Sequence, residues 1–476
     1  MSASDRKRPE DDENDNLTSP GDVRDWRDTD DDFDDESDRE YEQQRAREIE
    51  EEKRQEAVAL KNAKALIRTP DFLARVLDIC KGLGVTGEQI ALLVLFLAAV
   101  SKTLLRPASV MLRGSPSSGK SSVMNAVVEL FDPEIVMERA GMSGKALFHG
   151  EGSLAGKIIV LTEYHAGKDS RHLIRLAQTE GVLTDETTVM EGRWRSTSIT
   201  ERRGRPVVMT TTSESRIAAD DLSRFQIVWA DESAEQSLRV MRSRASAPPD
   251  PVDAFELQVW RKATSLLVAE KGDFQRPPKW LRALPSSMPL DRVGIRRDFD
   301  RFLTFLQAIA LCRGCGRRDG AIDIEFADYA VAYQIFEPLF ATPRPATTEQ
   351  DLELARMVTR LNQKQNAPVT VNELADALGW KPALVYKVVQ SALAQNLVAY
   401  EGGTRERNVK RLVATDPDGE SFLPHPRSIL EGYPQLGGSV TFTNPFSGEE
   451  ETIRLKKRGG GNISSDAHLV ANMASN

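Results

Sequence analysis

Residues 114–121 read GSPSSGKS, the G-x-x-x-x-G-K-[ST] spacing of a phosphate-binding loop. Each residue type has a task in that chemistry. Glycine lets the backbone curl around a phosphate chain, and the start of a helix points free N–H groups at it. Lys120 supplies a positive point charge for β- and γ-phosphates, and the Ser121 hydroxyl can ligate Mg²⁺. Gly114, Ser117, Ser118, Gly119, Lys120, Ser121 and Ser122 are therefore the candidate phosphate-binding residues, with ATP and Mg²⁺ as the expected cofactors. The elements that must hold the loop flank it. Residues 109–112 read as a short buried strand, and residues 121–130 as a helix with no breaker.

A second group lies downstream. KIIVLTE at 157–163 places four consecutive apolar residues before an acid, the pattern of a strand buried on both faces of a parallel sheet. Glu163 would emerge at the C-terminal edge beside the loop, where a carboxylate polarises the attacking water and helps hold Mg²⁺ through water. PVVMTTT at 206–212 is a similar strand ending in hydroxyls, so Thr211 can orient the hydrolytic water. DLSRF at 221–225 precedes a further strand, 226–230. Arg224 there can reach the γ-phosphate of a neighbouring subunit, or serve in a surface salt bridge. Between these strands, residues 169–180 read as a helix closed by Gly181, and 182–205 as a β-hairpin turning at Glu191-Gly192. The hairpin carries Arg193, Trp194, Arg195, Arg202, Arg203 and Arg205, a mix that suits phosphates and base stacking as well as a solvated surface.

Composition bounds the rest. The chain has 476 residues, enough for two or three domains, and a net charge of −9 that is unevenly placed. Residues 1–60 hold 23 acidic and 10 basic residues, leaving 49 acidic and 53 basic in the body. A weakly basic body with an acidic tail is compatible with nucleic acid without requiring it. Three cysteines cannot build a disulfide framework, which favours a reducing cytoplasm. Cys312 and Cys315 form a CxxC with no second ligand pair, so ordinary thiols near a helix end are expected rather than zinc. The apolar run at 90–100 is well short of the roughly 18 residues of a membrane span and reads as a core helix.

The low apolar content to about Glu52 predicts disorder, either as a solvating tail or as an acidic mimic of nucleic acid. Residues 42–65 shift to Glu, Arg, Lys and Ala and predict a charged helix. Helices are expected at 72–83 and from Thr86 to before Pro107, a strand at 135–139, and a short helix at 143–149. Residues 245–251 and the Pro343-Arg-Pro run read as linkers around a helical segment. Residues 349–412 then read as three helices and a wing, the pattern of a winged helix, which serves DNA or protein contact. For DNA, Trp380, Lys381, Tyr386, Lys387 and Gln390 would face the duplex, with Arg405 and Arg407 on the wing. A hairpin at 439–455 and a flexible tail close the chain.

The order of parts resembles an AAA+-like ATPase core, and more narrowly the helicase-type domain of primase–helicase proteins of phages and integrative elements. The residues that carry the resemblance are GSPSSGKSS, IIVLTEY, HLIRLAQTEG, PVVMTTTS and SRFQIVWADESAEQ, within about 87–240, with a weaker likeness to about 340. It implies an α/β P-loop NTPase fold, a parallel-sheet core with a helical lid, to which the pattern at 349–412 adds a C-terminal winged-helix domain. It also implies a DNA-touching hairpin at Arg193 and Arg195, a sensor at Thr211 and an arginine finger at Arg224. Where the family commonly has an acidic pair, this chain has Thr162-Glu163. The expected divisions are a 1–58 tail, a 59–244 ATPase core, a 252–342 lid, a 349–415 winged helix and a 416–476 hairpin and tail. The expected function is ATP hydrolysis coupled to work on single-stranded DNA by a homo-oligomer, a hexameric ring in the helicase reading. Other replication or mobile-element proteins would be partners, with no membrane. The alternative is an ATP-gated switch or loader that unwinds nothing.

Overall fold

The computed structural model describes residues 35–139, 152–164, 168–191, 194–214, 217, 223–246, 251–270, 273–274, 276–288, 295–313, 317–318, 321–341, 349–365, 367–394, 397–400, 411–414 and 423–455. The expected helix at 143–149, the linker at Pro343-Arg-Pro, Cys315, the first 34 residues and the tail after Leu455 lie outside them.

The chain divides after Val58 into two compact units. In the first, residues 35–58 are helical, part of helix α1 (Asp35–Leu66). The acidic composition predicts disorder to about Glu52; the helix instead starts at Asp35. Glu, Arg, Gln, Lys and Ala all favour helix, and bonds one turn apart such as Gln44 to Glu48 (3.1 Å) add to it.

The second unit is built on a five-stranded, all-parallel sheet in the order β2-β3-β6-β1-β7. Its strands are β1 (Val110–Arg113), β2 (Val136–Arg139), β3 (Ile158–Leu161), β6 (Val207–Thr212) and β7 (Gln226–Trp229). Alternation of side chains across the pleat feeds two cores. Val110, Leu112, Ile158, Val160, Val207 and Met209 enter one with α2 (Phe72–Gly82), α3 (Gln89–Val100) and α4 (Lys120–Val128). Met111, Ile159, Leu161 and Val208 enter the other with Ile174 and Ala177 of α5 (Lys168–Thr179). Every residue of α3 from Ala91 to Val100 is buried, so the apolar run is a core helix as expected. A hairpin of β4 (Val182–Glu191) and β5 (Trp194–Arg203) leaves α5 and returns to β6.

After β7 the chain forms α6 (Ala234–Ala245), α7 (Ala254–Leu266), α8 (Ile295–Cys312), a short hairpin of β8 (Arg317–Arg318) and β9 (Ala321–Ile322), and α9 (Phe326–Ala341). α7, α8 and α9 contribute to the same core as α3, with the Phe336 ring in contact with both Phe302 and Phe305. A separate core follows. α10 (Glu349–Gln365), β10 (Val369–Thr370), α11 (Val371–Leu378), α12 (Pro382–Ala394), β11 (Val398–Tyr400) and β12 (Arg411–Ala414) enclose Leu354, Val358, Leu374, Val385 and Leu412. Thr370 and Glu373 close a reciprocal capping box at the start of α11, as their spacing predicts.

The terminal segment then returns to the first core. α13 (Pro426–Gly432) and the hairpin of β13 (Ser439–Thr443) and β14 (Glu450–Arg454) bury Ile429, Leu430, Val440 and Phe442 there. Tyr329 of α9 donates its hydroxyl to the Pro424 carbonyl at 2.6 Å, and Gln334 donates to Glu451 at 3.0 Å. The hairpin is part of the fold rather than an appendage.

Candidate functional site

The phosphate loop connects β1 to α4 by a backbone path few residues allow. Ser117 (φ 67°) and Gly119 (φ 88°) are both left-handed, and Ser117 carries the strain of a non-glycine residue there, about 1–2 kcal/mol. A Cβ on Gly114 would meet Ser118 Oγ at 2.8 Å and the Glu232 carboxylate at 3.0 Å. Gly119 is the N-cap of α4, and no side chain caps that helix, so its first N–H groups remain for an anion. These features fit a phosphate chain.

Lys120 Nζ donates to the carbonyls of Gly114 (2.9 Å) and Ser115 (2.6 Å) and lies 3.3 Å from Ser118 Oγ. Burial holds its ammonium below the usual lysine range, opposed by the carboxylates of Glu232 and Glu163. Those two acids approach it from different strands. Glu163 follows β3 and accepts a bond from Ser213 Oγ at 3.2 Å. The parallel pairing of β3 with β6 and of β6 with β1 brings Glu163, Ser213 and the loop to one sheet edge, and Gly114 N–H donates to Thr212 O at 3.3 Å. Thr211 sits at the same edge, buried, and its hydroxyl donates to the Thr162 carbonyl. Its proton therefore ties two strand ends together. As a sensor it has only oxygen lone pairs left to offer.

Glu232, which sequence reasoning passed over, accepts both the N–H and the hydroxyl of Ser115. Asp231-Glu232-Ser233 carries an ordinary helix-start signal, and Ser233 does cap α6 through Gln236 N–H. Nothing local shows that Glu232 reaches back to the loop. The loop opens on a cavity of about 460 Å³ walled by Gly84, Val85 and Thr86 on one side and α6 on the other. Gln236 donates to Thr86 O at 2.7 Å, Thr86 bonds Ser243 Oγ at 3.0 Å, and Asp231 N–H donates to Glu88 at 2.9 Å, which fixes the two walls. Burial pushes the Glu88 carboxyl up to about 7. The size suits a nucleoside attached to phosphates at the loop.

Other expected residues lie elsewhere. Arg224 precedes β7, whose first residue Gln226 pairs with Val110 at the start of β1, so it stands at the sheet edge opposite the loop. It donates to Thr179 Oγ1. On the hairpin, Trp194 and Arg195 are in β5, paired with Glu191 and Met190, and Arg193 lies outside the described residues. Arg202 is buried and donates to Gly152 O at 2.9 Å, and Arg205 donates to Thr179 O at 2.8 Å. Both hold the hairpin base. On α12 and just before it, Lys381, Tyr386, Lys387 and Gln390 are exposed, whereas Trp380 packs against the core of that unit and does not project with them. Arg405 and Arg407 lie outside the described residues. Cys80 and Cys312 are buried free thiols, their pKa values raised by burial, Cys80 to about 12. Among the described residues no helix is long and apolar enough to cross a membrane.

Residues 57–257 match the family model of the MTBMA_p00010 P-loop domain, a span that includes all five parallel strands. With its strand, loop and helix in register, this part of the chain has the α/β P-loop NTPase fold. Among solved structures, the chain is similar to a full-length MCM homolog from Methanopyrus kandleri, at 14% identity over 58% of this chain and 60% of that one, TM-score 0.39. It thus spans about 60% of that protein's length. It is also similar to the ORC1 protein of Aeropyrum pernix in complex with DNA, at 13% identity over 78% and 97%, TM-score 0.23. A third is NtrX from Brucella abortus in complex with ADP, at 12% identity over 66% and 70%, TM-score 0.23. No curated protein matches the sequence.

Proposed function

We propose that this chain is a cytoplasmic ATPase that couples hydrolysis to work on DNA as a helicase-like oligomer, in the replication of a phage or mobile element. The observation that carries the nucleotide part is the convergence of an uncapped helix start, Lys120 and Glu163 at one sheet edge beside a cavity of nucleoside size. The DNA part rests on the resemblance to helicase-type AAA+ domains and on the exposed Lys381, Tyr386 and Lys387 of the winged-helix-like unit.

In this reading ATP fills the cavity with its phosphates on the loop. Lys120 exchanges the carbonyls of Gly114 and Ser115 for β- and γ-phosphate oxygens. Ser121, in the first turn of α4, and Glu163 would hold Mg²⁺, which neutralises charge on the phosphates when bound. Water adds to the γ-phosphorus, the bond to the β–γ bridging oxygen breaks, and Glu163, steadied by Ser213, takes the water's proton. Arg224 faces away from its own loop, so it acts on the nucleotide of a neighbouring copy, which requires a head-to-tail oligomer. Trp194 and Arg195 on the hairpin would meet single-stranded DNA.

A second reading, an ATP-gated switch or loader, draws on Thr162, which leaves Glu163 as a single acid at the end of β3. ATP turnover measured with and without single-stranded DNA separates them, comparing wild type with Lys120→Ala and Glu163→Gln. Turnover that DNA stimulates, and that falls by about 10²-fold or more in both variants, is expected of the motor. Binding without turnover favours the switch. Turnover unchanged by Lys120→Ala overturns both.

A further inference from the structure

β1 breaks its own pattern at its last residue. Val110, Met111 and Leu112 are apolar, as a strand covered on both faces requires. Arg113 is buried with them, 8% exposed, directly before Gly114 of the phosphate loop. A guanidinium is rarely buried without groups that replace water around it.

Those groups come from both neighbouring strands. In β7 the residue paired with Arg113 is Trp229, and the guanidinium carbon lies 4.6 Å from the centre of its ring. In β6 the paired residue is Thr212, and Arg113 Nη2 donates to the carbonyl of Glu214 just beyond it, at 2.9 Å. That bond holds the turn leaving β6. Thr212 Oγ1 accepts the Glu214 N–H at 3.1 Å, and the Thr212 carbonyl accepts the Gly114 N–H at 3.3 Å. Residues 212–214 are thus tied both to themselves and to the end of β1, and the middle one is Ser213. Its hydroxyl donates to Glu163 Oε1 at 3.2 Å. Glu163 is exposed, so packing does not hold its carboxylate, and the place from which Ser213 reaches it matters.

We infer that Arg113 is a positioning residue for Glu163: by bridging Trp229 and the Glu214 carbonyl it sets Ser213, and Ser213 sets the carboxylate that takes the proton from water. This role rests on the ATPase reading above. Arg113 touches neither the nucleotide nor the attacking water in that reading, and its effect passes through the turn. A shift of the base by about 1 Å slows proton transfer steeply while Lys120 and the loop still hold the phosphates. Loss of Arg113 therefore separates turnover from binding.

The test measures phosphate release and the affinity for a fluorescent ATP analogue, both on the full chain. Arg113→Gln is expected to lower kcat about tenfold or more, with Kd within about twofold of wild type. On a Glu163→Gln background the same change is expected to lower kcat by less than about twofold further, because the group it positions is gone. Arg113→Lys keeps the charge and serves if the glutamine variant does not fold. Without the planar fork it cannot both stack on Trp229 and reach the turn, so the same separation is expected. A kcat within about twofold of wild type overturns the inference, as does a Kd that weakens as much as kcat falls. A loss on the Glu163→Gln background as large as that in wild type overturns it too, and makes Arg113 a strut of the fold. A wild type that releases no phosphate, or a Lys120→Ala chain that releases it unchanged, overturns the ATPase reading and this role together. Turnover that needs Lys120 but ignores Arg113 overturns this role alone.

Discussion

Glu232 grips Ser115 with both carboxylate oxygens, one on the backbone N–H and one on the hydroxyl at 3.0 Å, so an acid stands at the first turn of the phosphate loop. It lies close enough to Lys120 to be the largest of the charges that raise the lysine's pKa against burial. Glu232 is also followed directly by Ser233, the cap of α6, which forms a wall of the nucleoside-sized cavity. One carboxylate therefore links the loop, the lysine and the cavity wall.

A triphosphate entering this loop meets that negative charge. Glu232→Gln keeps an acceptor for Ser115 and removes the repulsion, so ATP is expected to bind about tenfold more tightly, roughly 1–2 kcal/mol. A fluorescent-nucleotide titration measures it. Weaker binding in the variant would show that the acid organises the loop more than it opposes the ligand.

Glu88 makes stability depend on pH. Burial is the main reason its carboxyl rises to about 7, Asp231 and Glu232 add to the rise, and the Asp231 N–H and Arg239 oppose it. The unfolded chain releases this proton near 4.5, so between about 4.5 and about 7 the folded state binds more protons and stability falls as pH rises. Glu88→Gln removes the charge but keeps an acceptor for Asp231. Its thermal midpoint is expected to exceed that of wild type at pH 8, with the gap closing towards pH 5. A gap that does not change with pH would rule out titration of Glu88 as the cause.

The loop, its strand and its helix were legible because each rests on local rules: glycine where φ is positive, the apolar run Val110–Leu112 for a doubly covered strand, and helix formers after Lys120. The Thr370–Glu373 capping box was legible for the same reason. Contacts made at long range were not. Glu232 reaches residue 115 and Arg202 reaches Gly152, and no periodicity in the sequence announces such meetings. Composition foretold the helix at 42–65 but misled at residues 35–41, where charge suggested disorder and helix propensity prevailed.

Gly204 fastens the base of the hairpin. Its φ is 114°, a Cβ there would lie 2.0 Å from Ala155 N, and its N–H donates to Gly181 O at 2.8 Å. Gly204→Ala is expected to cost about 3 kcal/mol or more, since clash adds to backbone strain. Gly156→Ala has positive φ but no atom within 4 Å, and should lose only about 1–2 kcal/mol. Urea unfolding compares the two, and equal losses would discount the clash with residue 155.

Phe442 tests whether the terminal hairpin belongs to the main core. It is 4% exposed and shares the core that holds α9. Phe442→Ala is expected to destabilise the chain by about 3–5 kcal/mol in the same unfolding transition. A loss below about 1 kcal/mol, or a separate early transition, would make the hairpin an independent flap.

Lys381, just before α12, and Lys387, six residues on within it, stand exposed, with Tyr386 next to Lys387 at 54% exposure, while Val385, Val388 and Val389 fill the core beneath. If this face meets a duplex, each lysine that neutralises a phosphate releases counterion, so affinity depends on salt. Replacing both lysines by glutamine is expected to weaken binding across unrelated DNA sequences and to reduce the slope of log K against log salt by about 2. The change leaves the buried valines in place, so the unit's stability should hold within about 0.5 kcal/mol per site. An unchanged slope with intact folding would assign this face to a protein partner, and would leave the hairpin's Trp194 and Arg195 to carry the contact with DNA.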